Sequence, residues 1–225
     1  IAFFALVFMA SSSVIFSQIS SPGTPLSFTR NLESDIQQSI MPGFDLDEVK
    51  RQDKIESQMK DIPFRFGYEY TANIGLTNAG TWSTLSDGSK VWRVSITSTG
   101  AFGINLIYNK FYMPKGSKFY VYSADRTMVL GAFTESNNIP ERMFSTAPVK
   151  GETIILEYNQ PVWVSETPEL NVSSVIHEYK NIFGFIPSLT DDYGTSGPCQ
   201  INVNCPLGDP WKKESRSTAM VLLAN

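Results

Sequence analysis

The sequence predicts an all-β fold: an antiparallel β-sandwich preceded by a short helix. Three observations carry that expectation. Between Phe64 and Tyr179, apolar and polar residues alternate in short runs rather than at helical spacing. Turn-forming residues separate the runs at near-regular intervals. No internal repeat or low-complexity tract interrupts the pattern, and the roughly 120 residues involved are enough to bury a self-sufficient core.

The elements follow in order. Ile1 to Phe16 (IAFFALVFMASSSVIF) carry no charge, yet they are shorter than the roughly 20 residues a membrane-spanning helix needs. With Ser11-Ser12-Ser13 and the polar Ser17-Gln18 nearby, residues 1–20 read as a secretory signal peptide lacking its basic start. Residues 21–63 are a leader holding a short helix. Ile19–Arg30, rich in Ser, Pro, Gly and Thr, is expected to be mobile. Asp45 is placed to cap a helix over Leu46–Asp61, whose thin apolar stripe is Leu46, Val49, Ile55 and Met59; Pro63 ends it. Its mixed charges read as a solvated face.

Residues 64–183 form the sandwich. Thr81–Leu85 and Val91–Thr97 flank Ser86-Asp87-Gly88-Ser89, an Asp-Gly hairpin signal. Trp92, Val94 and Ile96 alternate with Val91, Arg93, Ser95 and Thr97, a pattern with one face buried. Further strands are expected from Phe102 to Met113, Lys118 to Tyr122, Met128 to Phe133, Ile154 to Tyr158 and Val172 to Tyr179. After them the texture turns polar, and residues 184–198 read as a linker.

Composition narrows the function. The chain has 225 residues, with 18 Lys+Arg against 22 Asp+Glu, so no basic surplus exists to neutralise phosphates and nucleic acid is not an expected partner. One histidine and two cysteines cannot supply a three-ligand zinc site without carboxylates, and no cofactor is expected. His177 shares a strand face with Val175 and Tyr179, and no nucleophile elbow accompanies it, so it reads as a hydrogen-bonded structural histidine. Asp191-Asp192 read as solvated linker carboxylates. The sequon Asn171-Val172-Ser173 matters only in a eukaryotic secretory pathway. Tyr108, Phe111, Tyr112, Tyr120 and Tyr122 suit either a sugar-binding platform or a sandwich core and edge, the latter being commoner. Cys199 and Cys205 lack a tight turn between them. A local bridge is open, but the extended arm of Ile201-Asn202-Val203 favours partners elsewhere. The chain opens on Ile1 and stops at Asn225 within an apolar run, so both ends read as cut.

The run Gly194-Thr195-Ser196-Gly197-Pro198-Cys199…Cys205-Pro206-Leu207-Gly208-Asp209 resembles the start of the mature enzyme in bacterial lysyl endopeptidases, which are secreted trypsin-like serine proteases. Ser217–Leu222 resembles the first strand of that protease domain. Upstream, Met41-Pro42…Asp45, Phe64-Arg65-Phe66-Gly67, Trp92-Arg93-Val94, Gly131-Ala132-Phe133-Thr134 and His177-Glu178-Tyr179-Lys180 resemble the family's pro-region. The resemblance implies an exported bacterial zymogen whose pro-module assists folding and restrains activity until cleavage. It makes residues 199–225 the truncated start of a trypsin-like β-barrel, with Cys199 and Cys205 pairing to cysteines beyond the chain and the catalytic triad downstream. The expected partners are the chain's own protease domain and the parent enzyme's protein substrates, with no membrane contact once the signal is removed. The processing junction falls at Tyr193–Gly194, with Lys180–Asn181 as the alternative because no lysine precedes Gly194. The rival expectation is an exported sandwich that binds carbohydrate or a cell-surface ligand.

Overall fold

The computed structural model describes residues 20–59 and 62–184. Its elements are a one-turn helix α1 (Leu26–Thr29), strand β1 (Gln38–Ile40), helix α2 (Leu46–Glu56) and strands β2 (Gly67–Gly75), β3 (Thr81–Thr84), β4 (Lys90–Thr97), β5 (Gly103–Tyr112), β6 (Lys118–Ser123), β7 (Val129–Phe133), β8 (Phe144–Ser145), β9 (Val149–Lys150), β10 (Thr153–Gln160) and β11 (Glu169–Glu178). The fold is all-β, as the alternation predicts.

Two sheets share one core. A six-stranded sheet runs β1-β4-β10-β6-β7, with β3 taking the other half of the β4 edge that β1 occupies. A five-stranded sheet runs β2-β11-β5-β8, with β8 and β9 dividing one edge of β5. Among the described residues β1–β4 is the one parallel pair. Trp92, Val94 and Ile96 of β4, Phe119 and Val121 of β6 and Leu156 of β10 meet Leu106 and Tyr108 of β5 and Val172 and Val175 of β11 in a single apolar cluster. The Asp-Gly hairpin forms where expected. Gly88 takes a φ of +83°, and Leu85 N–H donates to Ser89 O at 2.8 Å, a backbone geometry that glycine adopts without steric cost.

Helix α2 begins as predicted, with an Asp45 carboxylate oxygen accepting from Glu48 N–H at 2.9 Å. It ends at Glu56, short of the expected Asp61, and of its apolar stripe Val49 is buried while Ile55 and Met59 stay exposed.

The N-terminal segment departs from expectation. Ser20–Arg30 is not a loose leader but docks on the six-stranded sheet. Ser21 and Ala132 exchange backbone hydrogen bonds at 2.9 and 3.0 Å. Ser27 N–H donates to Glu157 Oε1 at 3.2 Å, and Phe28 packs edge-on against Tyr122. Farther along, Arg93 donates to Glu33 O, and Ser95 N–H to Gln37 O at 3.0 Å. Successive side chains of a strand point to opposite faces, so Tyr120 and Tyr122 lie on the side of β6 away from Phe119 and Val121. There they form a second, smaller cluster with Ala132, Phe28 and Ile155. β4 is buried on both faces rather than one: Val91, Arg93 and Ser95 are buried along with Trp92 and Val94, and the N-terminal segment contacts Arg93 and Ser95.

The N-terminal segment closes over a buried carboxyl group. Glu157 is fully enclosed and accepts from the Tyr122 hydroxyl at 3.0 Å, while the same hydroxyl lies 2.9 Å from Ser27 Oγ. Tyr122→Phe removes a donor from a buried acid, and it is expected to lower stability by about 1–3 kcal/mol. Urea denaturation of the two proteins measures this.

Candidate functional site

Several of the sequence candidates turn out to be core. His177 is buried, its Nδ1 lies 2.8 Å from Ser98 Oγ, and its ring meets Phe44 edge-on at 4.9 Å. Burial holds its pKa below the ordinary value, with Glu152 opposing. As the chain's single histidine it gives an unambiguous signal. Its imidazole proton resonance is expected to titrate below pH 6.5, the ordinary value, in the native protein. The sign follows: a depressed folded pKa adds stability above pH 6.5 that is lost as pH falls through the folded value. Of the five aromatic candidates, Tyr108, Phe111, Tyr120 and Tyr122 are buried. Only Tyr112 reaches the surface, with the Arg142 guanidinium over its ring and its hydroxyl donating to Glu166. No aromatic platform forms from these five. Asn171 of the sequon is on β11, where its amide donates to Asn109 Oδ1 at 2.9 Å.

Among the described residues, a charged group sits where β11 ends. Asp53, on α2, is its centre. Lys180 Nζ lies 2.7 Å from Asp53 Oδ2, and the Tyr179 hydroxyl donates to the same oxygen at 2.8 Å. Arg65 Nε is 3.6 Å from Asp53 Oδ1, and its Nη2 pairs with Glu56 Oε2. The Lys180 ammonium also stands over the Phe64 ring, 4.2 Å from its centre, and over that of Tyr179 at 5.5 Å. Burial, then the hydrogen bond to Asp53, pushes the Tyr179 phenol well above its usual range. Beside this clasp is a cavity of about 230 Å³ lined by Asp53, Arg65, Lys180, Met59, Ile62 and Phe64. Two carboxylates, Asp53 and Glu56, balance two cations, Arg65 and Lys180, so the Lys180 ammonium is held within a charge-neutral cluster.

Sequence reading found Lys180 but not its partners. The charges of α2 read as a solvated face, while Asp53 and Glu56 lie three apart and so project from one side of the helix. That spacing, shortly ahead of Pro63-Phe64-Arg65, was the available signal.

Next to the clasp is Glu178, fully enclosed, with neither carboxylate oxygen hydrogen-bonded. It lies over Gly103, where a side chain would strike its carboxyl group, and burial pushes its pKa up to about 8.

Cys199, Cys205, Tyr193, Gly194, Asp191 and Asp192 lie outside the described residues, as do the signal-peptide and protease-strand expectations. Among the described residues, no three His, Cys, Asp or Glu side chains gather to hold a metal ion. No helix among them is long and apolar enough to cross a membrane. No protein-family model matches the chain.

Proposed function

We propose that the chain carries the pro-module of an exported trypsin-like serine endopeptidase, joined through a polar linker to the start of the protease domain. One observation carries this reading. The compact two-sheet unit ends at Phe183, and the Gly194…Asp209 run that resembles a mature protease start follows it after Ser188–Pro198, a polar stretch containing Gly194 and Gly197. The module's own histidine is committed to Ser98 and Phe44, so the module supplies a scaffold and the downstream domain the chemistry.

Expression of the whole precursor tests the reading. Serine-peptidase activity, followed with a fluorophosphonate label, is expected to rise as an N-terminal fragment is released. The new amino terminus should fall within residues 181–196. A fully active enzyme that keeps the module attached would overturn it.

The alternative, an exported binding module, has one specific observation in its favour. Trp163 is 66% exposed, with its ring lying against Gly116. Titration with soluble glycans against tryptophan fluorescence separates the two readings, since a pro-module gives no saturable change.

A further inference from the structure

Lys180 is the single Lys or Arg between Lys150 and Lys212. Any lysine-selective or trypsin-like protease that separates the module from the Gly194 motif therefore has one bond to cut in that stretch, Lys180–Asn181. In the folded module that bond is guarded twice.

The first guard is the side chain. A protease that cuts after lysine must take the ammonium into its own acidic pocket. Here the ammonium is already held by the Asp53 carboxylate at 2.7 Å and by the faces of Phe64 and Tyr179. The clasp offers what a lysine-accepting pocket offers, so the two compete for one side chain. The second guard is the backbone. Lys180 N–H donates to Phe66 O at 3.3 Å, and Lys180 O accepts from Ile182 N–H at 2.8 Å, which closes a tight turn across the bond to be cut. Proteases bind extended chain, and the residues immediately before Lys180 (His177, Glu178 and Tyr179) are buried.

We propose that the Asp53 clasp is a gate on proteolytic processing: Lys180–Asn181 is a conditional cleavage site, closed while α2 holds Lys180 and cut when it lets go. Cutting adds water across the peptide bond, leaving a carboxyl group on Lys180 and a new amino group on Asn181. The protease is one selective for lysine, acting from the same or another molecule. The proposal rests on the pro-module reading for its biological use but not for its test.

The test exposes the full chain to a lysine-selective endopeptidase under native conditions. Mass spectrometry then follows the fragment that begins at Asn181. A synthetic peptide spanning residues 175–184 gives the ungated rate, and cleavage at Lys150, exposed on β9, reports general opening of the fold. The wild-type bond is expected to be cut far more slowly than the peptide. Asp53→Asn keeps the shape of the side chain but removes its charge. It is expected to raise the rate at Lys180 about tenfold while leaving Lys150 unchanged. Phe64→Ala alters an exposed ring and is the safer variant for folding; a rise of about twofold to threefold is expected. The gate is overturned if the wild-type bond is cut as fast as the peptide. It is equally overturned if the folded variants keep the wild-type rate, and Phe64→Ala alone decides should Asp53→Asn not fold. Because the protease is added from outside, failure here leaves the pro-module reading standing. Failure of the precursor experiment leaves the gate standing.

Discussion

Trp92→Ala is expected to cost about 3–5 kcal/mol, the largest loss from a single substitution proposed for this module. The indole is fully buried between the sheets, and its Nε1–H donates to Ala79 O at 2.8 Å. Truncation leaves a cavity in a close-packed core and an unpaired backbone carbonyl. Gly80, at a φ of +80°, lies against the same ring, where any side chain would collide with it, so the loop is shaped around the indole and has little freedom to collapse into the space. Against a total stability of about 5–15 kcal/mol, such a loss removes much of the margin. The melting temperature should fall by roughly 10 °C or more. Trp163→Ala, at an exposed tryptophan, should move it far less. Thermal melts followed by circular dichroism compare the two, and equal shifts would contradict the assignment of Trp92 to the core.

Glu178→Gln should flatten the pH dependence of stability above pH 5. Burial raises the folded-state pKa to about 8 from an ordinary 4.5. Between those values the unfolded chain releases the proton that the folded one retains. The contribution of this one group is therefore full below pH 4.5 and declines by about 1.4 kcal/mol per pH unit until the folded group ionises near pH 8. Glutamine cannot ionise, so the variant escapes the decline. The gap between variant and wild type should widen by a few kcal/mol across this window. Other titrating groups, His177 included, act equally in both proteins and cancel in the difference. Urea midpoints at a series of pH values supply the measurement, and parallel curves would show that the carboxyl finds compensation the structure does not contain.

Much of the fold was legible in the sequence because both the hairpin and the core strands use local signals. Asp87-Gly88 fixes a turn by backbone conformation alone, and alternation along Phe102–Met113 or Lys118–Tyr122 marks one apolar face irrespective of what covers it. What escaped depends on distant partners. β1 is three residues long and pairs in parallel with β4, an arrangement that leaves no turn signature between neighbours. The Ser20–Arg30 segment looks like linker by composition. It is held by Glu157, Tyr122 and Ala132, each more than ninety residues away. At the candidate site the sequence marked Lys180, since a protease cares about lysine wherever it falls. Its captivity was invisible, because Asp53 comes from a helix whose charges look solvated and reaches Lys180 only through tertiary packing.

In each sheet a late strand joins two earlier ones. β10 lies between β4 and β6, and β11 between β2 and β5. A chain delivered amino end first, from a ribosome or through an export pore, thus presents β2, β4, β5 and β6 before the strands that join them exist in the same compartment. Non-local pairing of this kind has to wait for the distant segment and closes slowly. Delivery of the final strands therefore sets the clock for assembly, and every chain passes through an interval in which its hydrogen-bonding edges stand open to neighbouring chains.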